Sequence, residues 1–135
     1  MLKRHIKNLF YTFVSPLMRL NSLKIKYFNS FKKYKTLKLH LGPGKKNYIN
    51  DWINIDSNMF TGKCDLWLDL RYQLPFKNNS INCCYSHHMI EHLPNIEKHF
   101  IDIFRILKPG GLYRFGGPNG DSAIKKFIEN DNLWF

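Results

Sequence analysis

Two glycines and two carboxylates hold the chemistry that this sequence offers first. Thr36–Leu41 has the make-up of a short strand, and Gly42-Pro43-Gly44 follows it, a run that cannot continue a regular element cheaply. Glycines at a strand end let main-chain atoms come close to a ligand. Asp56, twelve residues after Gly44, ends the next strand-like run, Trp52–Asp56 (WINID). A carboxylate in that position can accept hydrogen bonds from both hydroxyls of a ribose. Asp69 falls near the end of a third run, Leu66–Leu70 (LWLDL), where its carboxylate can accept from an adenine amino group while Leu70 lies against the ring. Turn glycines and surface acids are common singly. Three such sites on one edge of a sheet outweigh any one of them.

The elements that must position these groups follow from hydrophobic spacing. Ile81–Ser86 (INCCYS) is a fourth strand. A helix is expected over roughly Asn95–Leu107, with Ile96, Phe100, Ile103, Phe104 and Leu107 on one face, and Lys108-Pro109-Gly110-Gly111 stops it. Leu112–Phe115 is a fifth strand, Gly116–Gly120 a loop, and Asp121–Glu129 a further helix capped by Asp121 or Ser122. Ahead of the strands, Leu2, Ile6, Leu9, Phe10, Phe13 and Val14 recur at helical spacing among Lys3, Arg4 and Lys7, which predicts a basic amphipathic helix ending near Pro16. A second helical stretch is expected over Leu17–Phe31. Strands alternating with crossovers, with polar residues at their C-terminal ends, imply an open parallel sheet whose ligands sit in the crevice beyond those ends.

Composition sets the frame. At 135 residues, 44% apolar and 16% aromatic, the chain suits one folded domain. The net charge of +11 is unevenly placed: residues 1–50 hold 12 of the 21 Lys and Arg and no acid, while the remainder sets nine basic residues against ten acidic ones. The basicity belongs to a segment, which fits a cap on the domain, a peripheral membrane contact through residues 1–35, or plain compositional bias; no specific nucleic acid is predicted. Cys64, Cys83 and Cys84 form neither a C-x-x-C unit nor a disulfide framework, and no run approaches the ~20 apolar residues of a membrane-spanning helix. The start lacks a small-x-small cleavage site, so a cytoplasmic location is expected.

Taken in order, Leu39-His40-Leu41-Gly42-Pro43-Gly44-Lys45-Lys46, Trp52-Ile53-Asn54-Ile55-Asp56, Asp69-Leu70, Leu74-Pro75-Phe76, Tyr85-Ser86-His87-His88-Met89-Ile90-Glu91-His92-Leu93 and Arg105-Ile106-Leu107-Lys108-Pro109-Gly110-Gly111 resemble the class I S-adenosylmethionine (SAM)-dependent methyltransferases of the "type 11" kind. The similarity covers about residues 36–125. It implies a three-layer, Rossmann-like α/β fold of about five parallel strands in the order 3-2-1-4-5, with residues 1–35 a basic helical segment and 36–135 the SAM-binding domain. It further implies that Gly42 and Gly44 pass the methionine part of SAM, that Asp56 holds the ribose, that Asp69 and Leu70 face the adenine, and that Ser86 and His87 sit beside the sulfonium and the transferring methyl. The implied activity is methyl transfer from SAM to an acceptor the chain does not name, without an assigned catalytic residue, metal or oligomeric state. The alternative is an inactive SAM-binding or interaction module with a membrane- or nucleic-acid-associating N-terminus.

Some residues depart from the pattern. Lys46 stands where the family has a third glycine, Asn82 where an Asp is common, and only seven residues separate Gly44 from Trp52, too few for a full crossover helix. The family continues past the fifth strand with a helix and an antiparallel strand pair; this chain stops at Phe135, so a C-terminally truncated domain lacking that pair is the expectation. Two rivals are weaker. His88-Met89-Ile90-Glu91-His92 matches the H-x-x-E-H zinc-protease pattern, which needs a third ligand elsewhere. A nicotinamide-dependent oxidoreductase wants G-x-G-x-x-G and an acid about 20 residues on, and neither is present. His5, His40 and His99 are expected to be surface or packing residues.

Overall fold

The computed structural model describes residues 12–23, 36–58 and 62–129. Its centre is a five-stranded sheet, β1 (Lys38–Leu41), β2 (Ile53–Asp56), β3 (Leu66–Trp67), β4 (Ile81–His87) and β5 (Leu107–Gly116), in the order β3-β2-β1-β4-β5. Every neighbouring pair is parallel, which is the sheet and the strand order anticipated above. Central strands of such a sheet are covered on both faces and are therefore apolar almost continuously. Leu39, Leu41, Ile53, Ile55 and Ile81 are indeed buried, joined by Leu68, Leu74, Ile103 and Ile106 in one core. Each such side chain contributes roughly 1.5–3 kcal/mol on leaving water.

Parallel register brings all C-terminal strand ends to one edge. A single rung crosses the sheet through Ile55, Leu41, Ser86 and Phe115. The residues that follow it, Asp56, Gly42, His87 and Gly116, form the next row. Beyond β3 the ladder runs one bond further, Leu68 N–H donating to the Asp56 carbonyl at 3.1 Å, so Asp69 reaches the same edge.

Between β1 and β2 the chain makes a turn instead of a helix, as the seven-residue spacing requires. β3 is shorter than its apolar run suggests. Asp69 folds the chain away from the ladder, its carboxylate accepting from Arg71 N at 3.0 Å and its carbonyl from Tyr72 N at 3.2 Å. β5 begins at once after the helix, earlier than anticipated, because Leu107 pairs with Ile81 before residues 108–111 loop out and pairing resumes at Cys83 and Leu112. The loop-out is where Gly110 takes a φ of +76°, a conformation that glycine adopts without strain.

Three α-helices are described, besides a 3-10 turn at Ile90–His92. Residues 12–23 form α1, which runs through Pro16 instead of ending there. Proline removes only the bond to the residue-12 carbonyl, and burial of Ser15 and Met18 holds the helix against the domain. Asn21 Nδ2 donates to the Trp67 carbonyl at 2.9 Å, so α1 closes part of the edge strand β3. The anticipated turns over residues 1–11 and 24–31, and His5, lie outside the described residues.

Helix α2 (Ile96–Ile106) is capped by Asn95, whose side chain accepts from Lys98 N. Its buried face is His99, Ile103 and Ile106; of the anticipated stripe Ile103 is buried and Phe100 and Leu107 are partly so, but Ile96 is exposed and Phe104 is 84% exposed. The face turned inward is the one whose histidine finds a partner on β5, described below. Arg105 on α2 donates to the carbonyls of Leu74 and Phe76, and Asp102 accepts from Leu74 N, which pins the Leu74-Pro75-Phe76 segment under the sheet. Helix α3 (Gly120–Ile128) is capped by Asn119 and not by Asp121 or Ser122, the Asn119 side chain accepting from Ser122 N at 3.2 Å. No described helix is long and apolar enough to cross a membrane.

Candidate functional site

At the β1 end, Gly42 and Gly44 adopt φ of +71° and +61°, which side chains resist. Gly42 N–H donates to the Ile55 carbonyl at 2.8 Å, and a Cβ on it would lie 2.7 Å from Met89 Cγ, so the turn is packed there. Among the described residues a Cβ on Gly44 would meet nothing within 4 Å, while Gly62 packs against the carbonyl side of this glycine.

Asp56 links that turn to β2. Its Oδ2 accepts from Gly44 N at 3.0 Å and its Oδ1 from Asn58 N at 2.9 Å. Each oxygen keeps a further lone pair for a ligand hydroxyl. Asp69 arrives differently. Arg71 grips it through Nε and Nη2, at 2.6 Å for Nη2 to Oδ2, and the carboxylate is 5% exposed. Both oxygens are engaged by Arg71, and Leu70 packs half-buried on the core beside it.

Ser86 and His87 occupy successive positions of β4 with opposite surroundings. His87 is exposed, edge-on to His88 at 4.3 Å between ring centroids, and sits against Gly116. Ser86 is fully buried: its Oγ lies 2.8 Å from Tyr113 Oη, which in turn lies 3.0 Å from His99 Nε2. What Ser86 offers the sheet edge is therefore its main chain. Gly42, Gly44, Asp56, Asp69, Leu70 and His87 all lie at or just beyond strand ends on this one edge.

Behind the edge lies a polar network that sequence reasoning missed. Asn54, completely buried in β2, accepts at Oδ1 from His40 Nδ1 and Ile49 N, both at 3.0 Å, and donates through Nδ2 to the carbonyls of Ile49 and Trp52 and to Asp65 Oδ2. Asp65 also accepts from Asn54 N at 2.8 Å and from the Tyr48 hydroxyl. The network ties the helix-free β1–β2 connection to the sheet, and through it the glycine turn. An Asn inside an otherwise apolar run, WINID, was the available signal.

Burial lowers the pKa of both His40 and His99 from the usual 6.5; the Asn54 bond and Asp56 oppose this at His40, and Asp102 at His99. Both rings are packing residues, as expected. An unfolded chain takes up these protons near pH 6.5, the folded one only at lower pH. The stability they confer is thus complete above that value and drains as pH falls through the lowered folded values. The urea midpoint should drop between about pH 7 and pH 5, and a His40→Gln/His99→Gln variant should show a flatter profile over that interval. An equally steep profile in the variant would assign the slope to other groups.

His88 of the H-x-x-E-H run bonds Glu91 at 3.2 Å, and among the described residues no group of three or more His, Cys, Asp or Glu is placed to hold a metal. Burial raises the Cys84 thiol to about 12, so it stays protonated.

Part of the chain is similar to known proteins. A family model described as "Methyltransferase domain" matches residues 61–115. Sterol 24-C-methyltransferase of Pneumocystis carinii is 46% identical over 59 residues, 44% of this chain and 15% of that protein. The 24-methylenesterol C-methyltransferase 2 of Arabidopsis thaliana is 42% identical over 41 residues, 30% of this chain and 11% of that protein. This chain thus spans under a sixth of the length of either relative. A solved structure described as an S-adenosyl-L-methionine-dependent methyltransferase of Methanococcus maripaludis aligns with 98% of this chain and 73% of its own, at 18% identity and a TM-score of 0.48. The matched family model and the β3-β2-β1-β4-β5 parallel sheet together give a class I SAM-methyltransferase-like fold.

Proposed function

We propose that the chain binds SAM at the C-terminal edge of its sheet and takes part in methyl transfer to an acceptor. The observation that carries this is the row formed by Gly42, Asp56 and His87, with Gly44 open to space beside the Asp56 carboxylate. The donor set fits the group. A positive-φ glycine whose Cβ side is open among the described residues leaves room for a close approach of the amino-acid part, the free lone pairs of Asp56 suit two vicinal hydroxyls, and Leu70 offers an apolar surface for a ring. SAM supplies an activated methyl on a sulfonium leaving group, so the protein's task is to hold reactants in line and keep water out.

Each residue has a part in that task. The Asn54 network fixes the glycine turn, and Asp56 joins the turn to β2, so the two contacts move as one unit. The Arg71 clamp holds Asp69 and thereby sets where Leu70 lies. His87, exposed at the end of β4 and backed by Gly116, is the side chain placed to border the reacting atoms. No proton transfer is assigned to it.

Calorimetric titration of the full chain with S-adenosylhomocysteine and, separately, with NADH tests the reading. Saturable one-to-one binding of the first and none of the second is expected. Preference for NADH would replace the proposal with a dinucleotide site.

A further inference from the structure

Helix α1 presents two apolar faces, and the domain uses one. Ser15 and Met18 are buried, while Phe13, Leu17, Leu20 and Leu23 are between 49% and 70% exposed. On a helix of 3.6 residues per turn these four fall within about one third of the circumference, opposite Met18. Exposed large apolar residues scattered singly need no explanation, but a continuous stripe on one helix does. Leu20 and Leu23 also line an open groove of about 870 Å³ together with Arg19, Arg71 and Tyr72, Arg19 being stacked 4.8 Å from the Tyr72 ring. The helix lies within the 50-residue stretch that holds 12 Lys and Arg and no acid.

We infer that α1 is a peripheral docking surface for an anionic phospholipid bilayer, with Phe13, Leu17, Leu20 and Leu23 entering the headgroup–acyl boundary and Arg19, with the cationic stretch the helix belongs to, meeting lipid phosphates. An apolar stripe bordered by cations is the pattern of helices that lie in the plane of a membrane. Nucleic acid answers the charge but leaves four large apolar side chains in water. A second copy of the chain would answer the stripe but would bring two strongly cationic segments together. An anionic bilayer satisfies both. This inference is independent of methyl transfer.

The test is co-sedimentation of the full chain with vesicles of phosphatidylcholine alone and of phosphatidylcholine with phosphatidylserine. Binding to the mixed vesicles is expected, weaker on the neutral ones, and reduced but not abolished by salt. Leu17→Ser/Leu20→Ser, which leaves every charge in place, should lower the partition coefficient about tenfold or more. Both positions are exposed, so the melting temperature should not change; Phe13→Ser repeats the test at a separate position. The proposal is overturned if neither vesicle pellets the chain, or if binding is indifferent to both variants. It is equally overturned if the chain instead retains only a salt-sensitive affinity for oligonucleotides, or if the variants merely dissolve a dimer seen by light scattering.

Discussion

Asn54→Ala should lower folding stability by about 3–4 kcal/mol, seen as a shift of the urea midpoint at unchanged slope. Five hydrogen bonds converge on this one buried side chain, and its loss leaves Ile49 N, the Ile49 and Trp52 carbonyls and the buried His40 Nδ1 without that partner, the loop groups only partly buried. An unpaired buried polar group costs about 1–3 kcal/mol, and partial relaxation of the loop keeps the total below the simple sum. Because Asp65 belongs to the same network, Asn54→Ala and Asp65→Ala should be markedly non-additive: the double variant should cost little more than the worse single one. Full additivity would show that the two residues act separately and that the β1–β2 connection is held by something else.

Asp56→Ala should weaken S-adenosylhomocysteine binding about a hundredfold. Two hydrogen bonds to a charged acceptor are each worth about 1.5–3 kcal/mol, of which water recovers part. The same substitution frees Gly44 N and Asn58 N, so some of the loss comes from a slackened turn. Gly44→Ala separates these contributions. It keeps Asp56, adds a Cβ that meets nothing among the described residues, and costs about 1–2 kcal/mol through its left-handed φ of +61°. If the open space beside Gly44 belongs to the ligand, Gly44→Ala weakens binding by about tenfold or more while the fold persists. Unchanged affinity in both variants would move the ligand away from the β1–β2 edge.

The strand ends were legible in the sequence for a physical reason. A strand buried on both faces is a short apolar run, a turn glycine or an acid marks where it stops, and parallel pairing collects those stops on one edge. Gly42, Gly44, Asp56 and Asp69 fall at or just past strand ends as that logic expects, while His87, like the strand order, came with the family resemblance. What escaped depends on partners distant along the chain. Asn54 reads as one polar residue in a run until His40, Ile49 and Asp65 close around it. The inward face of α2 was set by a distant partner: Tyr113 on β5 bonds His99, which makes that face the buried one and leaves Phe104 outside. The shortness of β3 follows from the turn that Asp69 makes with Arg71 and Tyr72, a local capture that an apolar run conceals. Pro16 misled because one missing hydrogen bond counts for less than the packing of Met18.

The central claim, a SAM site on the C-terminal edge of the sheet, is tested most directly by amide chemical-shift mapping of the isotopically labelled chain during titration with S-adenosylhomocysteine. The account predicts that the largest changes fall on Gly42, Gly44, Asp56, Leu70 and His87, with α3 and the N-terminal ends of the strands unmoved. Saturable changes confined to α3 or to the opposite edge, with Gly44 and Asp56 silent, would contradict it.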